Sequence, residues 1–256
     1  MFVTRARLLP IALFSAALAA APAWSAPPPP TPGFFFARGS LGYATQSLSE
    51  LNDAIHLNEA NFRANGDDVS FESVPGAMLS GLEAGYRVTS SFSTALGLDY
   101  QQSSVEGTAS GPSETIRRNT NLSLLNVSAR LAWWPHGLKG LHVGAEGGMG
   151  FGAATESDRR RDPDDPTYIY DANGHWDANA FTAGAFAGYA HWFGPTLFLD
   201  LRAGYRHLDM KEMDGRLDAT TGTIHGPYTD ANGKPVAFDF SGGFVSLGLG
   251  VRLGGD

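Results

Sequence analysis

The chain contains no cysteine, so it can form neither a disulfide nor a thiolate metal site. It also lacks an excess of positive charge. The 18 lysines and arginines face 26 acidic residues, and the formal net charge is -8. An acidic surface is a poor match for nucleic acid, and we expect no nucleic-acid partner.

Long apolar runs are absent beyond the start of the chain. Residues 1–7 are short and positive, residues 8–21 are apolar and Ala-rich, and small residues follow, which is the layout of a secretory signal peptide. An N-terminal anchor is the alternative, but a spanning helix needs about 20 apolar residues. We therefore expect a cleaved signal peptide over 1–26, an extended Pro-rich spacer over 27–33 and one domain over 34–256.

The exported domain must hold together without disulfides, and the hydrogen bonds of a closed barrel would do this. Its alternation is clearest near the end, where one strand face is wholly aliphatic: Val245, Leu247, Leu249, Val251, Leu253. Seven further segments repeat the pattern, near 34–45, 82–88, 92–101, 125–133, 141–149, 181–189 and 197–206. A mean hydropathy of -0.15 agrees with strands that turn only alternate residues to lipid.

The links between these eight segments run long, short, long, short, long, short, long. Short periplasmic turns and long outward loops are typical of outer-membrane barrels. The short links are 89–91, 135–140 and 193–195. Aromatic residues lie beside them and predict a girdle at the inner membrane interface: Tyr86, Phe92, Trp133, Trp134, Trp192, Phe193. We predict an all-β fold, an eight-stranded antiparallel transmembrane β-barrel with long extracellular loops and a short helix in the first loop.

The interior of such a small barrel is filled by its own side chains. Buried charges must be paired, and the inward strand positions carry both signs. We expect a polar lumen network of Glu83, Asp99, Arg130, Glu146, Asp200, Arg202, Arg206 and Arg252. A narrow pore or small-ligand carrier is the alternative, because inward glycines could leave a cavity: Gly144, Gly148, Gly150, Gly184, Gly188.

The outward loops carry a few local signals. Residues 47–55 have near-helical apolar spacing, and Ser47 with Glu50 fits a capping box, so we expect an amphipathic helix that caps the mouth, lies on the outer leaflet or packs on other loops. The tetrapeptide Asp-Ala-Asn-Gly occurs at 171–174 and 230–233 and predicts two hairpin tips.

Charged loop residues allow two further interpretations. One is a calcium site, because the third loop contains five aspartates: Asp162, Asp164, Asp165, Asp171, Asp177. These residues do not have EF-hand spacing. The basic run 159–161 could meet lipopolysaccharide phosphates or be balanced by these acids.

An enzyme acting on lipid A would need a histidine with a hydroxyl or carboxylate at the outer rim, where His207 and Asp209 lie. No Gly-x-Ser-x-Gly elbow occurs. We therefore assign no catalytic, cofactor-binding or metal-binding residue and expect no cofactor.

Over residues 34–253 the chain resembles the small eight-stranded outer-membrane barrels of the OmpA/OmpX type, by its signal peptide, its loop rhythm and its closing segment 248–253. Family members commonly end the last strand on an aromatic residue, where this chain has Leu253. The resemblance implies a bacterial outer-membrane location. We expect a non-catalytic structural, surface-interaction or adhesion role, with outer-membrane lipid and lipopolysaccharide as partners and a protein or surface ligand bound through the loops. A lipid A-modifying barrel enzyme is a second alternative.

Overall fold

The computed structural model describes residues 32–74, 76–111, 115–162, 165 and 169–254. The predicted signal peptide, most of the spacer and Asp164 of the acidic loop lie outside the described residues. No helix within the described part of the chain is both long and apolar enough to cross a membrane.

Thirteen strands and one helix make up the described fold. The helix is α1 (Ser49–Ala64). The strands are β1 (Phe34–Ala44), β2 (Asp68–Phe71), β3 (Ala77–Arg87), β4 (Phe92–Ser110), β5 (Thr115–Trp133), β6 (Leu141–Arg161), β7 (Ile169–Phe193), β8 (Leu197–His207), β9 (Asp209–Met210), β10 (Asp214–Ala219), β11 (Gly222–Pro227), β12 (Phe238–Asp239) and β13 (Gly242–Leu253).

Eight of these strands close a ring. Antiparallel pairs join β1, β3, β4, β5, β6, β7, β8 and β13 in turn, and β13 pairs back onto β1. Closure removes the unpaired edges that an open sheet would leave. The predicted eight-stranded antiparallel barrel is confirmed, and each predicted segment matches one strand of the ring, with only residues 45 and 88 falling just beyond a strand end.

The short links lie at one end of the barrel, which we call the base; the opposite end is the mouth. In the first link, Thr89 Oγ1 accepts a hydrogen bond from the Phe92 backbone N–H at 3.0 Å. Gly137 and Gly194 supply a positive φ of 86° each in the other two. These turns use the Ser, Thr and Gly chemistry that tight reversals need.

Strands β4 to β7 extend well beyond the barrel. They are 19, 19, 21 and 25 residues long, so much of the predicted second and third loops is strand rather than loop. Together with β2 on β4 and with β10 and β11 beside β7, they form a wall above the mouth. The extension keeps the alternation, because its inward face packs on an apolar cluster that Val105, Leu122 and Ala154 help to form.

This cluster, the mouth cap, closes the barrel above the lumen. It contains Leu48, Leu51, Ala54, Val74, Val105, Leu122, Leu124, Ala154, Trp176, Leu208, Met210, Met213, Val236, Phe238 and Phe240. The predicted helix is confirmed as α1, and it turns Leu51 and Ala54 into the mouth cap. The predicted capping box is wrong: Leu48 precedes the helix without a side-chain cap, and Glu50 instead accepts the Ala237 N–H at 3.0 Å.

The two Asp-Ala-Asn-Gly segments differ in structure. The segment 230–233 is a tight reversal in which the Gly233 N–H donates to Asp230 O at 3.0 Å and Gly233 has a φ of 77°. The segment 171–174 is not the predicted hairpin tip. It lies within β7 and is paired on both sides, because the adjacent β6 and β10 satisfy its backbone.

Candidate functional site

The outer face of the barrel is a belt of exposed apolar side chains. Every strand of the ring contributes: Phe35, Leu41, Tyr43, Met78, Leu82, Phe92, Leu96, Leu98, Tyr100, Leu125, Val127, Leu131, Trp133, Val143, Phe151, Phe181, Phe193, Tyr205, Leu247, Leu249, Val251, Leu253. On β5 the belt runs from Trp133 to Leu125, which is about 20 Å along the barrel axis at a tilt of about 40°. Exposures reach 82% at Phe181 and 69% at Leu96.

The inner face is layered, as the inward positions of β8 show. From base to mouth they are Phe198, Asp200, Arg202, Gly204 and Arg206, and buried Leu208 follows directly after the strand. An aromatic floor, a charged middle and the apolar mouth cap therefore follow one another within a single alternating strand. Since side chains alternate between faces, the same strand turns Leu199, Leu201 and Ala203 outward.

Arg130 is the centre of the charged layer. Its Nη1 donates to Glu83 Oε2 at 2.7 Å and its Nε donates to Glu146 Oε2 at 3.0 Å. Its Nη2 donates to Asp99. The arginine is 8% exposed, so these three carboxylates replace the water it loses on burial.

Two further arginines bind these three carboxylates and connect them to Asp200. Arg202 donates to both oxygens of Glu83 at 2.6 and 3.0 Å, a bidentate pair, and its Nε lies 2.7 Å from Asp200 Oδ2. Arg206 Nε donates to Glu146 Oε1 at 2.6 Å, and its Nη2 donates to Asp99.

Arg38 completes this set, which we call the charge network. Its Nε lies 3.0 Å from Asp200 Oδ2 and its Nη2 donates to Ser246 Oγ at 3.2 Å. The network thus contains four arginines and four carboxylates, all buried: Arg38, Glu83, Asp99, Arg130, Glu146, Asp200, Arg202, Arg206. Its formal charges cancel, as closely packed buried ions require.

The structure brings seven of the eight expected lumen residues together and places Arg252 apart from them. Arg252 lies opposite Phe36 near the base, with its guanidinium 4.9 Å from the Phe34 ring centroid, and donates to Gly254 O at 3.2 Å. Sequence reasoning missed Arg38, although the alternation of the first segment puts it on the inward face. Arg38 lies one inward position further from the base than Arg252.

Aromatic rings close the base beneath the network. Phe34, Trp192 and Phe198 are buried there, and the Phe34 and Trp192 rings meet edge to face at 5.8 Å. Trp134 stacks on fully buried His142 at 4.4 Å, and the Arg87 guanidinium lies 4.1 Å from the Trp134 centroid. Trp134 and Trp192 therefore do not join the predicted inner girdle. They turn inward as a floor, whereas Phe92, Trp133 and Phe193 face outward.

The inward glycines lie against neighbouring side chains or backbone and leave no cavity beside them. A Cβ on Gly144 would lie 2.4 Å from the Phe186 ring, one on Gly150 2.1 Å from Leu208 and one on Gly188 2.5 Å from His142. At Gly148 the contact would be 1.9 Å from Val127 O, and at Gly184 2.8 Å from Tyr205 O. Two voids in the lumen measure only about 30 and about 10 Å³, enough for a few water molecules.

A larger cavity of about 380 Å³, the mouth cavity, lies above the mouth cap between α1 and the β10–β11 hairpin. Arg118 lies at its floor, with Nη2 donating to Asp158 Oδ2 at 2.9 Å and Nε 3.3 Å from Glu156 Oε1. The Tyr228 hydroxyl donates to Glu156 Oε2 at 2.8 Å. Burial and the adjacent Glu156 carboxylate raise the pKa of Tyr228 well above its usual range.

The basic run and the acidic third loop balance each other. Arg159 Nε donates to Asp171 Oδ1 at 2.8 Å on the outer surface, and Arg160 Nη2 donates to Asp158 Oδ2 at 3.0 Å inside the wall. Among the described residues no three histidine, aspartate or glutamate side chains converge as a metal site would require. The interpretation of 159–161 as a charge-balanced segment is the better supported one.

At the rim, His207 meets a serine that the sequence did not indicate. Ser241 Oγ lies 3.0 Å from His207 Nδ1, and the same oxygen accepts the Leu208 N–H at 2.9 Å. Ser241 is 2% exposed, and its N–H donates to Asp239 Oδ1 at 2.9 Å. The contact joins the end of β8 to the start of β13, which is why no local motif around His207 or Asp209 could indicate it.

No protein-family model and no curated protein matches this chain. Solved structures similar to it include the outer membrane protein OprG from Pseudomonas aeruginosa, at 9% identity over 89% of this chain and 99% of that chain, with a TM-score of 0.47. A major outer membrane protein from Thermus thermophilus has 12% identity, 86% and 99% coverage and a TM-score of 0.43. Ail of Yersinia pestis has 12% identity, 85% and 98% coverage and a TM-score of 0.40. At these low identities the likeness concerns the fold alone.

Proposed function

We propose that this protein spans the bacterial outer membrane as a sealed, non-catalytic barrel and acts through the wall and cap that it presents outside the cell. The observation that carries the proposal is the polarity of the two faces of the barrel, which is apolar outside and charged inside. Apolar side chains are exposed around the whole ring, and a neutral network of four arginines and four carboxylates is buried inside. A continuous apolar belt of this kind suits lipid and not water.

The layered lumen supports a plug rather than a pore. An ion crossing the barrel would have to pass the aromatic floor, the charge network and the mouth cap in series. Because the space beside the inward glycines is taken by neighbouring side chains or backbone carbonyls, the carrier alternative has no room in the lumen. Lipid and lipopolysaccharide would then surround the belt, and a protein or surface ligand would meet the wall.

Two measurements on the full chain test the proposal. Outer-membrane fractionation followed by gel migration with and without boiling should show the heat-modifiable shift of a folded barrel. Planar-bilayer recording of the purified protein should show no large, stable conductance. Channels that open reproducibly would contradict the sealed lumen, and a protein confined to the soluble periplasmic fraction would contradict the membrane assignment.

A second candidate is a lipid A-modifying enzyme, which would depend on the contact between Ser241 and His207 at the outer rim. A nucleophilic serine must reach its substrate, and Ser241 is buried with its oxygen held by the Leu208 N–H. We therefore expect lipid A mass spectra of host cells to be the same with the wild-type chain, with Ser241→Ala and without the protein. A modified lipid A species that disappears in Ser241→Ala would overturn the non-catalytic proposal.

A further inference from the structure

We infer that the mouth cavity is a binding site for a small, uncharged ligand with an aromatic or branched aliphatic body and one hydrogen-bonding end. The cavity lies outside the lumen and is distinct from the glycine-lined space considered for a carrier. The inference rests on the proposed membrane orientation only for the side from which the ligand enters.

Apolar side chains from four separate elements line the mouth cavity, beside polar residues that include Asn58, His225 and Asp230. Ile55 of α1, Phe71 of β2, Trp176 of β7 and Ile224 of β11 all line it. Ile224 is 65% exposed, an unusual position for isoleucine on a hairpin that otherwise faces water. At about 380 Å³ the cavity falls in the range of small-molecule sites, about 300–1,000 Å³.

The floor provides a few polar groups that are already held in place. Glu156 accepts the Tyr228 hydroxyl and pairs with Arg118, which also binds Asp158. Arg118 and Glu156 keep side-chain exposures of 18% and 12%, and both line the cavity. A ligand therefore meets a donor and an acceptor whose conformations cost little to fix on binding.

The charges of this floor select an uncharged ligand. Arg118 and Arg160 are matched by Glu156 and Asp158, so these four groups carry no net charge. Asp230 also lines the cavity, and its Oδ1 already accepts the Asn232 and Lys234 N–H groups. An anionic ligand would lie beside the Glu156 carboxylate and a cationic ligand beside the Arg118 guanidinium, so each would meet a like charge in a partly buried site. A hydroxyl group can donate to Glu156 and accept from Arg118 without that repulsion.

Equilibrium dialysis of 2-naphthol against the full chain in phospholipid nanodiscs tests the site, with empty nanodiscs as the measure of uptake by lipid. We expect saturable binding above that level, and at least 10-fold weaker binding of naphthalene-2-sulfonate and of 2-naphthylmethylammonium. Asn58→Trp, which fills the cavity from α1, should weaken 2-naphthol binding at least 10-fold. Asn61→Trp makes the same change at an exposed position of the same helix outside the cavity and should leave binding unchanged.

Ile224→Trp provides a second filling variant at an exposed position, where folding is least affected. Its heat-modifiable migration should match that of the wild type while its 2-naphthol binding falls. Equal uptake by loaded and empty nanodiscs, equal binding by the Asn58 and Asn61 variants, or tighter binding of either charged analogue would overturn the inference. Each of these outcomes leaves the membrane and conductance measurements untouched, so the two proposals fail separately.

Discussion

Removing Arg130 should destabilise the barrel because three carboxylates depend on it. In Arg130→Gln the network keeps three arginines against four carboxylates. Glu83 still has Arg202 and Glu146 still has Arg206, but Asp99 then shares Arg206 with Glu146. Leaving one buried charge unmatched costs about 3–5 kcal/mol in the free energy of unfolding. Urea unfolding in phospholipid vesicles, followed by tryptophan fluorescence, measures this loss.

A second substitution separates charge balance from lost packing. Asp99→Asn in the Arg130→Gln background restores three charges of each sign, so the double variant should recover at least about 1 kcal/mol relative to Arg130→Gln alone. Arg117→Gln is the matched control, because Arg117 lies on the same strand but is exposed on the outer face, and it should unfold like the wild type. The reasoning is refuted if Arg130→Gln unfolds within about 1 kcal/mol of the wild type, or if adding Asp99→Asn lowers stability further.

Three other perturbations probe the belt, the cap and the wall. Leu96→Arg on the lipid face should cost about 2–4 kcal/mol in vesicle unfolding, whereas Ser104→Arg, outward on the same strand but above the belt and opposite the neutral Asn121, should cost nothing measurable; equal effects would argue against the membrane position. Phe238→Ala, which removes a fully buried ring from the mouth cap, should cost about 3–5 kcal/mol and speed proteolysis of the wall; unchanged unfolding and proteolysis would show that the cap is not packed as described. The pKa of Tyr228 is raised on folding, so its contribution to stability is complete below a pH of about 10 and is lost as the pH rises further. As the pH rises above about 10 the wild type should therefore begin to lose its stability advantage over Tyr228→Phe, and parallel pH profiles would contradict the bond to Glu156.

The alternating pattern was sufficient to predict the barrel strands because it follows from backbone geometry alone. From Val245 in β13 and from Leu197 to Tyr205 in β8 every second side chain is apolar, and these residues lie on the outward face in the structure. The base turns were equally predictable, since Gly and Ser supply their conformations locally. The upper halves of β4 to β7 fall in segments that the sequence predicts as long outward loops. Their inward residues are small or apolar only because the mouth cap packs on them, and that cap comes from distant parts of the chain.

The lumen residues show where prediction from sequence ends. Alternation placed Glu83, Arg130 and Arg202 on the inward face correctly, but it could not rank Arg38 against Arg252. Either arginine would have balanced the charges. Register decides between them, since Arg38 lies opposite Gly250 and points into space that Gly248 leaves open. The contact between His207 and Ser241 could not be predicted from the sequence either, because it joins the ends of two strands that are distant in sequence.

The sequence by itself determined the fold class, the number of strands in the barrel ring, the base turns and the inward placement of most charges, because each depends on neighbouring residues and on the two-residue period of a strand. The tertiary structure alone decided which charges meet, that two tryptophans form a floor rather than a girdle, and that an apolar cap and a cavity lie above the network. These depend on the stagger with which eight strands close the ring, which sets every distance across the lumen and cannot be read from a single strand.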